Sequence, residues 1–419
     1  MPLVYVHGIA NRRGRGAYRA DALRDELFRE HLLSALPGGR DQPLHTAHWG
    51  DLGGSLAWNG DSFPERGLQR LGGDDDPLAQ LAAEVTEDIA RRTEPRPERL
   101  VLDVALRSLP DAVDLLFTLA GLEGREQEAS AEELASLSSR LADHYAFAEP
   151  ADPADRESPG PPDWLAGLRD DDELLAALAE RIRPPGAVNP GGDDTEVLGG
   201  ERSRSRPWRT LGSAVSRLRR TVTGRVLARP VGRLRTRAVD AIPLLIGDVT
   251  TYLARRGTRE DPGPIVRRVG GVLERAAAER TGADPLVVLA HSMGGDIVYD
   301  LLTHYRPDLP VDTLVTVGTQ VGLFEELKLF RESDPAVTGG SGARVALPAA
   351  VGRWLNVVDG ADPLAFCAEP VFEGVSDYTY TSGALWAHSA ALHQPMFLAR
   401  LADRLTSADG GFGAGGGAV

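Results

Sequence analysis

Ser292 lies where a buried strand runs directly into a helix. Five apolar residues, 286–290, predict a short strand buried on both faces, and apolar positions at helical spacing begin at Met293 with no loop between the two patterns. We expect so tight a turn to force the serine into a strained, exposed conformation at the carboxyl end of a sheet, with the N–H groups of the helix directed at the same space. A serine in that position is suited to nucleophilic attack.

Small residues flank this serine on both sides. Ala290 and Gly294 stand two residues before and two residues after Ser292, which leaves room for neighbouring backbone. The alternative is an ordinary turn in which the serine side chain caps the helix. Because a cap does not need small residues on both sides, the pattern favours a nucleophile.

The string Ala290-His291-Ser292-Met293-Gly294 resembles the nucleophile elbow Gly-x-Ser-x-Gly of the α/β-hydrolase superfamily, with alanine in place of the first glycine. With Gly295 added, it looks most like the lipase and esterase branches. The resemblance implies an α/β fold with a mostly parallel central sheet flanked by helices. It also implies a serine esterase or lipase that needs no cofactor and no metal.

The first predicted strand, residues 3–6, ends in His7-Gly8. In the hydrolases that the chain resembles, a strand ending in His-Gly supplies one backbone N–H to the oxyanion hole, which is that of Ile9 in this sequence. The second donor is the N–H of the residue after the nucleophile, Met293. The two elements must then lie on neighbouring strands of one sheet.

The same resemblance implies a catalytic triad in the chain order serine, acid, histidine. Asp362 stands in an Asp-Pro-Leu string similar to the acid-bearing segment of many relatives. Asp359, directly after a predicted strand, competes with it but suits a turn-stabilising role. His388 precedes the last predicted helix, where the superfamily places its base, and His393, about one helical turn later, is assigned to the surface or to packing.

The sequence divides into four parts. They are a first part of the hydrolase core (1–50), a helical insertion (51–240), the main core with the triad (241–406) and a flexible tail (407–419). Helical patterns in the insertion fall near residues 77–91, 100–122, 131–147 and 164–182. Two joins, 149–163 and 183–205, are rich in Pro, Gly and Asp and predict disorder. The resemblance implies a cap over the active site; a helical decoration is the alternative.

Residues 202–239 hold twelve arginines and no acidic residue, although the net charge of the chain is −15. An apolar stripe runs along one side of a predicted helix in this segment: Leu211, Val215, Leu218, Val222 and Val226. Two interpretations stay open. Either the stripe packs on the core while the arginines pair with acidic residues, or the helix binds an anionic membrane surface. Nucleic acid is not expected, since the segment lacks interleaved aromatic residues.

Composition excludes several other classes of protein. The single cysteine, Cys367, cannot form an internal disulfide, and no apolar run approaches the roughly 18 residues of a membrane span. Phosphate-loop, zinc-cysteine and His-Glu-x-x-His motifs are absent from the sequence. We expect a cytoplasmic location, with surface contact to a membrane if the basic segment binds one.

The sequence therefore predicts a serine hydrolase that cleaves carboxylic esters, lipid or lipid-like ones being favoured, through an acyl-enzyme on Ser292. Amide hydrolysis and acyl transfer on the same triad are the enzymatic alternatives. The non-enzymatic alternative is a pseudo-hydrolase that serves as a membrane-binding or interaction platform.

Overall fold

Six segments rich in aliphatic and β-branched residues form one sheet. The strands are β1 (Leu3–Val6), β2 (Leu44–Ala47), β3 (Val287–His291), β4 (Val311–Val317), β5 (Val351–Val358) and β6 (Val375–Thr379). Their order across the sheet is β2-β1-β3-β4-β5-β6, and every neighbouring pair is parallel. The carboxyl ends of all six strands therefore lie at one edge of the sheet, where open α/β sheets bind their ligands.

The computed structural model describes residues 2–9, 11, 17–36, 38–55, 57, 77–91, 93–122, 129–144, 162–182, 205–223, 246–280, 284–360, 362–380 and 391–406. The helices are α1 (Ala17–Leu27), α2 (Pro77–Ala90), α3 (Leu100–Ala105), α4 (Leu109–Gly121), α5 (Ala131–His144), α6 (Asp171–Arg181), α7 (Arg206–Thr223), α8 (246–255), α9 (Pro264–Ala278), α10 (Met293–Asp300), α11 (Val321–Glu326) and α12 (Pro395–Thr406). Short π-helical turns, Phe28–Leu32 and Leu301–Tyr305, extend α1 and α10.

Alternate residues of the strands enter two hydrophobic cores, one on each face of the sheet. Leu3 and Tyr5 belong to one core, and Val4 and Val6 to the other. Helices α1 to α7 and α12 contribute to the first core, and helices α8 to α11 contribute to the second. The prediction of an α/β fold with a parallel sheet flanked by helices is confirmed.

The helices between β2 and β3 that cover the first face share a single core with the sheet. Buried residues of α2 to α7 form one continuous cluster with Leu289 on β3 and Val315 on β4. Helix α4 packs against α1 and α12 as well as against α3 and α7. The inserted helices are thus a layer of the α/β structure.

Helix α7 contains the described part of the basic segment. Its apolar stripe is buried: Leu211, Val215, Leu218 and Val222. The helix packs against α2, α4, α5 and α6, and Arg219 lies 3.4 Å from Asp172 and 3.9 Å from Asp171. Val226 lies outside the described residues. Because an apolar face inside the core cannot enter a bilayer, the membrane contact stays a prediction that depends on the arginines alone.

Some predicted windows differ from the elements in the structure. Window 100–122 is two helices, because Pro110 lacks an N–H and fits only the first turn of α4, which Ser108 caps by accepting the Asp111 N–H at 3.3 Å. Window 164–182 is a 3-10 turn, Asp163–Gly167, followed by α6. The joins 149–163 and 183–205, except for residues 162, 163 and 205, and the tail 407–419 lie outside the described residues.

Asp171 is a buried carboxyl group within the inserted helices. Its Oδ1 accepts the backbone N–H of Leu102 at 2.8 Å. Burial raises the pKa of Asp171 from 3.8 to about 7, against the opposing effects of the Leu102 hydrogen bond and the Arg219 charge. A carboxyl group whose pKa is higher in the folded than in the unfolded state stabilises the fold fully only below its unfolded pKa, and this contribution is lost as pH rises through the folded pKa.

We expect Asp171→Asn to remove this pH dependence, because an amide can accept the Leu102 N–H without ionising. The difference in free energy of unfolding between variant and wild type should grow in favour of the variant from pH 3.8 to about 7 and then level off. Its upper limit is on the order of 4 kcal/mol. Denaturant titrations across this pH range measure it, and a difference that is constant with pH would contradict the burial effect.

Candidate active site

Ser292 joins β3 to α10 through a backbone conformation that non-glycine residues rarely adopt. Its φ is 53° and its ψ is −138°, and Lys328 is the other described non-glycine residue with a positive φ. Such a conformation costs about 1–3 kcal/mol and persists where the surroundings enforce it. The Ser292 N–H donates to the carbonyl oxygen of Val317 on β4 at 3.0 Å, and the Gly295 N–H donates to the Ser292 carbonyl at 2.9 Å. The structure thus contains the strained strand-to-helix turn that the sequence predicts.

Glycines allow two backbone segments to meet at this turn. A Cβ on Gly294 would lie 2.6 Å from the carbonyl oxygen of Val6 and 2.7 Å from that of His7. A Cβ on Gly8 would lie 2.5 Å from the Cβ of Ser292 and 3.0 Å from its hydroxyl oxygen. Because β1 and β3 are neighbouring strands, the Gly8 backbone packs directly against the candidate nucleophile.

The Ser292 side chain is buried, whereas the sequence predicts that it is exposed. Its exposed fraction is 0%, and that of the neighbouring His291 is 6%. The prediction considers the turn alone, whereas the backbone of Gly8 on the adjacent strand also packs against the serine side chain.

The two predicted oxyanion donors adjoin this serine. Met293 follows it as the first residue of α10, where backbone N–H groups have no partner within the helix. Ile9 follows Gly8, whose backbone contacts the serine side chain. N–H groups at a helix N-terminus and in the facing loop favour a negative oxygen between them.

His7 orients the peptide group that carries the Ile9 N–H. Its Nε2 accepts the backbone N–H groups of Trp49 at 3.0 Å and Gly50 at 3.3 Å, so the proton of the neutral ring is on Nδ1. Nδ1 donates this proton to the Gly8 carbonyl at 2.6 Å. Because the C=O and N–H of a trans peptide point in opposite directions, this bond directs the Ile9 N–H away from His7. Sequence reasoning missed this role.

Asp359 and Asp362 follow β5 at the same sheet edge as Ser292, and both are buried. Asp362 Oδ1 accepts the Leu364 N–H at 2.8 Å. Asp362 thus makes a turn-stabilising hydrogen bond of its own, because Pro363 has no N–H and Leu364 offers the next one. A carboxylate has about four lone-pair sites on two oxygens, so this bond leaves both aspartates as candidates for the triad acid.

Two amide side chains hold the segment after β5 in place. Gln320 Nε2 donates to the Leu364 carbonyl at 2.6 Å, and Asn356 Nδ2 donates to the Phe366 carbonyl at 3.0 Å. The Phe366 N–H donates in turn to the Thr319 carbonyl at 3.0 Å. Hydrogen bonds with buried partners strengthen one another and fix a single arrangement. The aspartates therefore stand on a segment tied to both β5 and the loop after β4.

The predicted base, His388, lies outside the described residues. Tyr380, which precedes this stretch of chain, donates its N–H to the carbonyl of Val358 at the end of β5, at 3.1 Å. The other histidine, His393, packs on α4, since a Cβ on Gly121 would lie 3.2 Å from its Cδ2. The structure thus places Tyr380 beside the end of β5 and His393 against the inserted helices.

Asp296, one helical turn after Ser292, is a buried carboxyl group that the sequence does not single out. Its exposed fraction is 0%, and neither of its carboxyl oxygens has a hydrogen-bond partner among the described residues. Burial raises the pKa of Asp296 well above 3.8, and the charge of Asp300 adds to this effect. Burial therefore disfavours a negative charge on Asp296, one helical turn from the candidate oxyanion donor Met293.

In the part of the chain that the structure describes, no three His, Cys, Asp or Glu side chains group so as to hold a metal ion. No helix in the same part combines the length and the apolar character needed to cross a bilayer.

Comparison of the chain with protein-family models, with curated proteins and with solved structures found no match. The molecule is an α/β protein whose candidate nucleophile stands at the carboxyl edge of a parallel sheet.

We expect Gly294→Ala to destabilise the protein, because the added methyl group meets two carbonyl oxygens of the chain at the end of β1. Forcing extra atoms into a closely packed site costs about 1–3 kcal/mol, which denaturant unfolding measures. Gly339→Ala is the matched control, since a Cβ there meets nothing within 4 Å, and it should change stability by less than about 0.5 kcal/mol. Equal stabilities of the two variants would contradict the close approach of α10 to β1.

Proposed function

We propose that this protein is a serine hydrolase of the α/β-hydrolase class that cleaves carboxylic esters, with lipid or lipid-like esters as the favoured substrates. The observation that carries the proposal is the conformation of Ser292, a non-glycine residue held at φ 53° between a parallel strand and a helix. The backbone of Gly8 lies against its side chain. A strained turn of this kind is a feature of sites where a serine is presented for attack.

The strand order supports the proposal. Strand β1, which leads to the first oxyanion donor, is the direct neighbour of β3, which leads to Ser292. Strand β5 leads to the two aspartates, and its neighbour β6 leads toward His388. Because all these strands are parallel, the residues that follow them share one sheet edge, as a triad assembled from separate strand ends requires.

In the proposed reaction the Ser292 hydroxyl oxygen attacks the carbonyl carbon of the ester while His388 takes the hydroxyl proton. The carbonyl oxygen becomes an oxyanion, which the N–H groups of Ile9 and Met293 bind. The bond from the carbonyl carbon to the alcohol oxygen then breaks, and His388 gives its proton to the departing alcohol. The acyl group stays on Ser292.

Water completes the cycle by attacking the acyl-enzyme, with His388 again taking and returning the proton. The free acid leaves and the Ser292 hydroxyl is restored. Asp362 holds the imidazole in the required tautomer and stabilises the imidazolium in both half-reactions. Asp359, which directly follows β5, is the alternative for this role.

The burial of Ser292 favours a second candidate, a non-catalytic platform built on the hydrolase fold. A platform has no use for the strained turn at Ser292 or for the fixed Gly8–Ile9 peptide, so we prefer the enzyme.

Amide hydrolysis and acyl transfer use the same residues as ester hydrolysis. They differ only in the group that leaves the carbonyl carbon or in the molecule that accepts the acyl group. For either candidate, the exposed arginines of α7 (Arg206, Arg209 and Arg220) are the proposed contact with anionic lipid. The apolar stripe of that helix is buried in the core and does not take part.

We expect Ser292→Ala to lose turnover of a short-chain chromogenic ester by on the order of 10⁶-fold, as removal of a triad nucleophile does. The variant should keep the fold because it loses only one oxygen atom, and thermal unfolding checks this. Wild-type protein with no activity on any ester of a graded chain-length panel would count against the enzyme. So would a folded Ser292→Ala variant that keeps its turnover.

Single substitutions distinguish the candidates for the other two triad positions. His388→Ala should match the loss at Ser292, because nucleophile and base act as one unit, and Asp362→Asn should lose about 10⁴-fold by favouring the wrong tautomer. Steady-state rates on the same ester measure both losses. His393→Ala and Asp359→Asn are the paired controls and should lose far less. A larger loss at Asp359 than at Asp362 would transfer the acid role to Asp359.

A further inference from the structure

Asp114 is a buried carboxyl group on α4, among the inserted helices, that binds two residues far along the chain. Its exposed fraction is 2%. The Tyr380 hydroxyl donates to Asp114 Oδ2 at 2.6 Å, and the backbone N–H of Met396 donates to Asp114 Oδ1 at 3.0 Å. Each carboxyl oxygen therefore holds a different part of the carboxyl-terminal chain.

The two partners of Asp114 stand on either side of the segment that contains His388. Tyr380 follows β6, and its own N–H donates to the Val358 carbonyl at the end of β5 at 3.1 Å. Met396 lies in the first turn of α12, where a backbone N–H needs an acceptor from outside the helix. Asp114 supplies that acceptor and also links it to Tyr380. One side chain thus fixes the chain before and after His388.

Aromatic and cationic side chains pack around these contacts. The rings of Tyr380 and Phe397 meet edge to face with centroids 4.8 Å apart, and the guanidinium of Arg400 lies 5.9 Å from the centroid of the Tyr380 ring. Hydrogen bonds in such surroundings are strong, and their loss leaves buried donors without a partner. Removal of the Asp114 carboxyl group should therefore release both anchors.

Burial disfavours the ionised form of the Asp114 carboxyl group. Burial raises the pKa of Asp114 to about 7, while the hydrogen bonds from Tyr380 and Met396 and the charge of Arg400 oppose the rise. A neutral side chain of the same shape is therefore a suitable substitute. In Asp114→Asn the amide oxygen can accept the Met396 N–H, and the amide NH₂ can donate to the Tyr380 hydroxyl oxygen.

We propose that Asp114 is a positioning residue for the catalytic base, because it fixes both ends of the segment that carries His388 from a helix of the insertion. This inference rests on the proposed function for its catalytic consequence. Its structural part, the anchoring of the segment, is independent of any activity. The insertion is on this account a component of the catalytic unit.

Asp171 provides a matched control for this role. It too is a buried carboxyl group on an inserted helix, and burial raises its pKa to about 7 as well. Its hydrogen bond, however, goes to Leu102, within the same group of helices. Truncation at Asp171 should destabilise the insertion without releasing Tyr380 or Met396.

The anchoring is tested by hydrogen exchange of backbone amides in the full-length protein, comparing wild type with Asp114→Ala, Asp114→Asn, Tyr380→Phe and Asp171→Ala. Asp114→Ala should accelerate exchange selectively in peptides that cover the two anchors, residues 375–380 and 391–400, Tyr380→Phe should do so less, and Asp114→Asn should stay close to wild type. Exchange in these peptides that is unchanged in Asp114→Ala, or accelerated equally in Asp171→Ala, overturns the anchoring. If Asp114→Ala does not fold, Tyr380→Phe is compared with Asp171→Ala. Faster exchange in these peptides in Tyr380→Phe alone supports the anchoring, and unchanged exchange in Tyr380→Phe, or equal acceleration in Asp171→Ala, overturns it.

The catalytic consequence is tested with the same variants well below their melting temperatures. Asp114→Ala should reduce kcat, and the rate of Ser292 labelling by a fluorophosphonate, by on the order of 10²-fold with KM nearly unchanged. Asp114→Asn should restore most of both rates, and Asp171→Ala should lose neither. If the wild type reacts and Asp114→Ala reacts equally fast, the positioning role is wrong while the proposed function stands. If the wild type itself shows neither reaction, the proposed function is wrong and the exchange data still decide the anchoring.

Discussion

The close approach of β1 to the turn between β3 and α10 is the constraint on which the rest of the structure depends. Gly8 and Gly294 allow it, because a Cβ at either position would lie within 2.6 Å of an atom of the facing segment. This contact and the hydrogen bond from Ser292 to Val317 together hold the serine at a positive φ. The cost, about 1–3 kcal/mol, is borne by the pairing of β1, β3 and β4 in one parallel sheet.

Buried polar side chains then fix the loops that leave the carboxyl edge of this sheet. His7 orients the Gly8–Ile9 peptide, and Gln320 and Asn356 hold the segment after β5. Asp114 does the same for the chain around β6 and α12. In each case a side chain replaces the water that would solvate a loop carbonyl, hydroxyl or N–H group, so the loops have one arrangement rather than many.

Features that depend on short-range patterns can be predicted from the sequence, and those that depend on distant partners cannot. The strand predicted at 286–290 is Val287–His291 in the structure, and the strained turn follows it. The hydrogen bond of Asp114 to Tyr380 spans 266 positions, and no local pattern marks it. The contact of Gly8 with Ser292 likewise joins two distant parts of the chain. One missed signal was local: Pro363, which lacks an N–H, leaves the Leu364 N–H as the first donor that can reach Asp362.

The proposed function requires that the fold of this protein activates Ser292 as a nucleophile. Its most direct test is to incubate the protein with an alkyl fluorophosphonate, folded and after unfolding in denaturant, and to locate the adduct by mass spectrometry of its peptides. We expect a single adduct on Ser292 that forms in the folded protein and not in the unfolded one, since a serine without an activating base is a poor nucleophile. Failure to modify Ser292 in the folded protein, or equal modification after unfolding, would contradict it.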